Sequence, residues 1–233
     1  MLHVSDLEAS YGQSQVLFDI GFVVGAGEVV TILGRNGMGK STTIKSVMGI
    51  VRPHAGEIRF QDEPIHGLPS YRIAKLGIGL VPEGRQVFPN LTVRENLVST
   101  ARPGPGDSTE WNLESVLGIF PELEPRLSAM GSVISGGEQQ MTAIGRALMT
   151  NPSLLILDEA TEGLAPLVRR KIWQCLRQIK ARGLSILIVD QNLADLVDLA
   201  DRHYIIQKGR VVWSGTSDQL QSESRVKEQY LGI

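Results

Sequence analysis

Three short stretches carry side chains that could work on a phosphate group. The first is Gly34-Arg35-Asn36-Gly37-Met38-Gly39-Lys40-Ser41, which fits G-x-x-x-x-G-K-[ST], the phosphate-binding loop. Its glycines let backbone N–H groups curl around phosphate oxygens with no Cβ in the way. Lys40 sets a point charge against the outer phosphates, and the Ser41 hydroxyl can ligate Mg²⁺. The second is Asp158-Glu159, closing the apolar run Leu154-Leu155-Ile156-Leu157. Asp158 can hold Mg²⁺ through water, and Glu159 can take a proton from a water attacking a terminal phosphate. The third is Ser135-Gly136-Gly137-Glu138-Gln139-Gln140, a capping box that opens a helix. Two glycines weaken a first helical turn, which points to a close approach by something anionic. A helix N-terminus with bare N–H groups and a serine hydroxyl is a phosphate clamp. An acid pair after an apolar strand is an ordinary loop as often as a site, and a capping box is an ordinary helix start. The loop upstream gives both their weight.

The elements needed to position these stretches are legible around them. Glu28-Val29-Val30-Thr31-Ile32-Leu33 reads as a buried strand, and Ser41–Met48 as the helix after the loop, whose dipole adds positive potential at the phosphates. Leu2, Val4 and Leu7 predict a first strand, Tyr11-Gly12 a turn, and Val16–Val24 a second and third element. Gly49 is a helix C-cap with Pro53 beyond it. Gly56–Phe60 alternates as a strand, Pro69–Leu76 is a short helix, and Gly77–Val81 a buried strand stopped by Pro82. From Thr92-Val93-Arg94-Glu95, another capping box, to residue 150 the pattern is helical. It is interrupted by a loop at Arg102–Asp107, after which Trp111, Val116, Leu117 and Phe120 mark one apolar side. Met141, Ile144, Leu148 and Met149 form the face of the next helix. An α/β pattern returns with the strand at Leu154–Asp158 and a helix from Pro166 striped by Val168, Ile172, Cys175, Leu176 and Ile179. It continues with the strand Ser185–Asp190, a helix marked by Leu193, Leu196, Val197 and Ala200, and a hairpin across Lys208-Gly209. A polar helix follows from Asp218.

Bulk composition narrows the function classes. The 233 residues are 42% hydrophobic and 21% charged, with a formal net charge of −2, so the basic excess of a nucleic-acid binder is absent. The lone cysteine, Cys175, forms no internal disulfide and sits at core spacing, fitting a reducing compartment. His3, His54, His66 and His203 lack metal-ligand spacing. Met1–Ser10 has no secretory pattern and no apolar run reaches membrane-span length, so any membrane role is expected to come through a partner.

In their order and spacing, Gly34–Ser41, Ile134–Gln140 and Leu154–Glu159 resemble an ATP-binding-cassette (ABC) ATPase across essentially the whole chain. Val81-Pro82-Glu83-Gly84-Arg85-Gln86-Val87-Phe88-Pro89-Asn90-Leu91-Thr92-Val93 looks like the ATPases of branched-chain amino-acid uptake systems, as do Gly136–Met141, Glu162–Pro166 and Tyr230-Leu231-Gly232. Urea and other amide or hydrophobic-solute importers share much of this pattern. The resemblance implies an α/β P-loop NTPase cassette with a RecA-like core, an N-terminal antiparallel β subdomain and a helical insertion subdomain. As one domain over 1–233, it would comprise the β subdomain and first part of the core at 1–91 and the helical subdomain at 92–150. The rest of the core and a C-terminal hairpin and helix would occupy 151–233.

The resemblance also implies roles that spacing does not assign. The ATP contacts would be Tyr11, stacking on adenine, Val16 beside base or ribose, and Gly34 through Ser41 with Thr42. Ser135, Gly136, Gly137 and Glu138 would contact ATP held by a second cassette. Catalysis would rest on Glu159, Lys40, Gln191 and Glu83, with Mg²⁺ at Ser41, Asp158 and Glu83. Glu83 stands where most cassettes carry a glutamine, Gln191 where most carry a histidine, and Ala160 where a proline is usual. Expected partners are a second cassette, identical or paralogous, two transmembrane permease subunits and, indirectly, an extracellular or periplasmic solute-binding protein. The expected place is the cytoplasmic face of a bacterial or archaeal membrane. The competing reading is a soluble cassette in nucleic-acid, ribosome or cofactor-assembly work. Against it stand the absence of a long coiled coil or second cassette and the importer-like stretches at 81–93 and 162–166.

Overall fold

Residues 1–104 and 110–232 are described by the structure, a computed structural model. The loop expected at Arg102–Asp107 lies partly outside the described residues. Along the first segment run β1 (Leu2–Tyr11), β2 (Ser14–Val24), β3 (Val29–Leu33), α1 (Lys40–Val47), β4 (Ala55–Phe60), β5 (Glu63–Pro64) and α2 (Ser70–Lys75). Next come β6 (Ile78–Val81), α3 (Val93–Val98), α4 (Leu113–Ile119), α5 (Gly136–Leu148), β7 (Leu154–Asp158) and α6 (Pro166–Ala181). The last segment holds β8 (Ser185–Val189), α7 (Leu193–Leu199), β9 (Arg202–Gln207), β10 (Arg210–Thr216) and α8 (Ser217–Ser222). Contacts divide these elements into two units, Met1–Leu76 with Ser185–Ile233, and Gly77–Leu184.

In the first unit, β1 pairs antiparallel with both β2 and β4. The sequence predicts two elements within Val16–Val24, but a single strand forms. Its alternation slips by one residue at Asp19, whose φ of 59° absorbs the irregularity. Leu17 thereby joins Ile20, Phe22 and Val24 among the buried side chains. Elsewhere in the unit β3 lies between β8 and β9 and runs parallel to both, while β10 closes the hairpin antiparallel to β9. All five residues of β3 and of β8 are buried, as a parallel strand covered on both faces requires. Lys208 and Gly209 turn the hairpin with φ of 48° and 72°, the doubly left-handed geometry that suits a tight antiparallel turn.

The second unit sets β6 parallel to β7 and also contains α3, α4, α5 and α6. The capping boxes expected at Thr92/Glu95 and Ser135/Glu138 both form. A third, Asn112/Ser115, starts α4. Along that element Ile119 is buried rather than the expected Leu117, and in α6 Trp173 joins the stripe. Cys175 is a core thiol. Burial pushes its pKa up to about 11, and its Sγ donates to the Ile119 carbonyl at 3.2 Å.

Thr31 puts a hydroxyl into the fully buried β3, and the register answers it with His203 directly opposite on β9. The chain of bonds fixes every proton. Ser217 Oγ donates to the Ala200 carbonyl at 2.7 Å and so accepts from His203 Nε2 at 2.9 Å. This leaves Nδ1 to accept from Thr31 Oγ1 at 2.7 Å. The imidazole is therefore neutral, and burial pushes its pKa down to about 4. Below the ordinary value of 6.5 the unfolded chain binds a proton here that the folded chain refuses, so stability falls with pH between about 6.5 and 4. Urea unfolding should show a falling midpoint across that window. His203→Gln, which does not titrate, should flatten the slope between pH 6.5 and 5.

Candidate functional site

The phosphate loop begins where β3 ends. Gly34 has φ of 144°, and a Cβ there would collide with the Ile206 carbonyl on β9, so only glycine lets the chain leave the sheet at this point. Gly39, φ 107°, caps α1 without a side-chain bond, and the first turn holds no acidic residue. The helix start therefore keeps its N–H groups and positive potential for an external anion. Thr43 ties the start down, its N–H and Oγ1 both donating to the Gly39 carbonyl at 2.9 Å. Lys40, only 4% exposed, folds back along the loop and donates from Nζ to the Arg35 carbonyl at 3.2 Å. The residues present fit a polyphosphate.

Behind the loop stands a backbone buttress that the sequence did not announce. Gly209 N–H donates to the Met38 carbonyl at 3.0 Å, and Phe18 N–H of β2 donates to the Gly209 carbonyl at 2.8 Å. Lys208 N–H adds a weaker bond to the Met38 sulfur at 3.3 Å. The three segments meet so closely that a Cβ on Gly209 would collide with the Val16 carbonyl, and one on Gly39 would stand 2.9 Å from Leu17 Cδ2. Val16 thus enters the site through its backbone. Tyr11, at the end of β1, leaves its ring 48% exposed.

Gln191 follows β8. Asp190 Oδ1 accepts the N–H groups of Gln191 and Asn192 at 2.7 and 3.1 Å, which turns the chain and aims the Gln191 amide at Asn36 Oδ1, 3.2 Å away. A cavity of about 350 Å³ opens here, walled by Gly34, Arg35, Asn36, Asp190, Gln191 and Leu231. The structure therefore places the Gln191 amide against the phosphate loop.

In the Gly77–Leu184 unit, β7 is buried throughout and Asp158 ends it at 3% exposure. The parallel register sets Val81 beside Leu157, so Glu83 and Glu159 each lie two residues beyond this last pair of the neighbouring strands. There they converge with Glu162, which sequence reasoning missed. Carboxylate oxygens of the three lie within 4.8 Å of one another. Glu159 adopts φ of 53°, uncommon for a non-glycine residue. Like charges this close repel, and a divalent cation is the chemistry that would relieve them.

The Ser135–Glu138 clamp is a formed capping box: Ser135 N–H donates to Glu138 Oε2 at 2.7 Å, and Glu138 N–H donates to Ser135 Oγ at 3.3 Å. Arg126 Nε adds a bond to Glu138 Oε1 at 2.8 Å. Burial works to raise the Glu138 pKa, but these bonds outweigh it and hold the carboxyl below its usual range. The clamp glycines answer to neighbours within the chain. A Cβ on Gly137 would stand 2.6 Å from Val168 Cγ1, and one on Gly136 would stand 2.9 Å from Arg85 Cζ. Packing against the short, branched Val168 thus favours glycine at 137, whereas the mobile end of Arg85 leaves position 136 less constrained.

Comparison with known proteins gives this arrangement relatives. The family described as ABC transporter matches residues 17–162. The chain is 40% identical, over 100% of both sequences, to the high-affinity branched-chain amino acid transport ATP-binding protein BraG of Pseudomonas aeruginosa. It is 33% identical, over 100% of itself and 97% of the relative, to the lipopolysaccharide export system ATP-binding protein LptB of Haemophilus influenzae. A solved ATP-binding subunit of an ABC transporter superposes with a TM-score of 0.83 at 31% identity, covering 100% of this chain and 96% of that one.

Gly209→Ala should drive the hairpin off Val16 and carry Met38 with it, lowering ATP affinity by about tenfold or more, as expected when a backbone anchor of a charged-ligand site is lost. Gly183→Ala, also at positive φ but with nothing within 4 Å, should cost about 1 kcal/mol of stability and leave ATP binding unchanged. Equilibrium nucleotide titration and urea unfolding of the two variants check the contrast.

Proposed function

This chain belongs to the ABC transporter family and is an ATP-binding, ATP-hydrolysing cassette, and from that premise we propose that it powers uptake of branched-chain amino acids or a related small hydrophobic or amide solute. The observation that carries this reading is the 40% identity to BraG along the entire chain. The stretches Val81–Val93 and Glu162–Pro166, which look like that uptake subfamily, support it. Export of lipopolysaccharide, the role named for LptB, is the second reading, favoured by a 33% match over the whole of this chain.

We assign the roles as follows. Lys40 and the N–H groups of Gly34–Thr42 hold the ATP phosphates, Tyr11 and Val16 meet the nucleoside, and Glu159 takes the proton of the attacking water. Gln191 donates toward the γ-phosphate. Ser41, Asp158 and Glu83 would hold Mg²⁺, which neutralises charge on the phosphates when bound. The convergence of Glu83 with Glu159 and Glu162 supports the third ligand. Ser135–Glu138 meets the ATP of a second, head-to-tail cassette, identical or paralogous, so each site is completed between subunits and ATP acts as the adhesive between them. Hydrolysis releases it. Among the described residues no helix is long and apolar enough to cross a membrane. The span must be supplied by permease subunits, with this chain bound peripherally at their cytoplasmic side. The loop at Glu83–Asn90 and the helical segment after it would receive them.

Glu159→Gln should bind ATP normally, lower turnover by about 10²–10⁴-fold and accumulate a closed dimer on gel filtration with ATP. Near-normal turnover would remove Glu159 as the base. Lys40→Ala should lose ATP binding, read by titration with a fluorescent analogue. Pull-down from detergent-solubilised membranes should recover two permeases and lead to a solute-binding protein whose calorimetric ligand is a branched-chain amino acid. Recovery of lipid-export components instead would establish the second reading.

A further inference from the structure

We infer that Arg85 is an additional positioning residue of the clamp, supplying a cation that draws the γ-phosphate of the opposing cassette's ATP onto Ser135–Glu138. The inference rests on the head-to-tail reading above. Arg85 is half-buried, and its guanidinium lies flush against Gly136, where a Cβ would run into Nη1. On the other side, a Cβ on Gly163 would stand 3.8 Å from Nη2. The cation therefore sits between the first residue of α5 and the loop at 161–165. Among the described residues Arg85 makes no hydrogen bond or ion pair with any carboxylate. Glu138, the acidic residue of that first helical turn, is already held by Ser135 and Arg126. A guanidinium at the positive end of a helix dipole, with no carboxylate bonded to it, is electrostatically unfavourable. Planar, permanently charged and furnished with several donors, it is also the group best matched to a phosphate.

The backbone holds it there firmly. Arg85 and Gln86 both take left-handed conformations, φ 65° and 43°, in a turn closed by Gln86 N–H donating to the Gly84 carbonyl at 2.7 Å. Arg146 of α5 reaches back to the same turn, donating to the Gln86 carbonyl at 2.7 Å and stacking over the Phe88 ring at 4.6 Å. One end of α5 is thus bonded to the 83–88 loop by Arg146, and at the other Arg85 packs on Gly136. A displacement of that loop by a docked partner would move the cation at the clamp. An ATP held against the clamp would bias the loop in return, because coupling between sites is reciprocal.

The test uses Glu159→Gln as parent, in the purified chain together with its paired cassette if that proves distinct, and follows dimer formation against ATP concentration by analytical ultracentrifugation. Adding Arg85→Ala should raise the ATP concentration for half-dimerisation about tenfold, the loss of one charge-assisted contact. Binding of a fluorescent ADP to the monomer should be unchanged. Arg85→Lys should recover most of the loss, which a purely structural role of the side chain would not predict. Dimerisation of Arg85→Ala at the parent's ATP concentration would overturn the inference. An equal loss of monomer ADP binding would also overturn it, because the defect would then lie in the chain's own phosphate loop. A parent with Arg85 intact that forms no ATP-driven dimer would instead bring down the head-to-tail reading and this inference with it.

Discussion

A loop that must offer its N–H groups to a ligand has to be held by something other than those N–H groups. Here the restraint is the Gly209 N–H bond to the Met38 carbonyl, itself backed by Phe18 N–H on the Gly209 carbonyl. Three backbones pass within contact distance because Gly39 and Gly209 have no side chain to separate them. The hairpin turn is therefore part of the phosphate site, although it lies about 170 residues along the chain from Met38. The parallel pairing of β3 with β9 delivers it, since Leu33 pairs with Ile205 and both strands run toward the loop.

The same strand-end logic organises the acids. Parallel strands bring their carboxyl ends to one edge, which is where open α/β sheets bind ligands. With Val81 beside Leu157, residues two positions further on must also be neighbours, and these are Glu83 and Glu159. Glu162 joins them because the chain turns immediately after β7, with Glu162 N–H donating to the Glu159 carbonyl at 3.3 Å. A glutamate at 83 therefore adds a third carboxylate beside Glu159, placed by the register, and Glu162, placed by the turn.

Legibility in the sequence followed the range of the interactions. The phosphate loop, the capping boxes at Thr92 and Ser135, the buried strands at β3, β7 and β8, and the Lys208-Gly209 hairpin are set by neighbouring residues and were readable directly. The bulge at Asp19 was not. An alternating apolar pattern that slips by one residue looks like two elements, and only the pairing with β1 shows that the strand continues. Glu162, Arg85 and the Gly209 buttress were missed for a related reason: their partners lie in other segments, and a residue in a turn has no periodicity to mark it. The clamp glycines carried an ambiguous signal. Their spacing suggests room for an anion, yet Val168 and Arg85 occupy the space where their Cβ atoms would be.

Gln191 completes the comparison between a residue's position and its chemistry. The Asp190 turn would aim any side chain at this position toward Asn36, so placement does not depend on an imidazole. The side chain does determine pH behaviour. A histidine would change charge near neutrality, and its bond to the loop would change with it. An amide keeps the same donor at every pH in that range. The contact beside the phosphate loop is therefore insensitive to pH, and the imidazole at His203, the one histidine held fully inside the fold, is kept neutral as well. Protonation near neutrality is thus kept out of both the loop contact and the β3–β9 pairing that carries the loop.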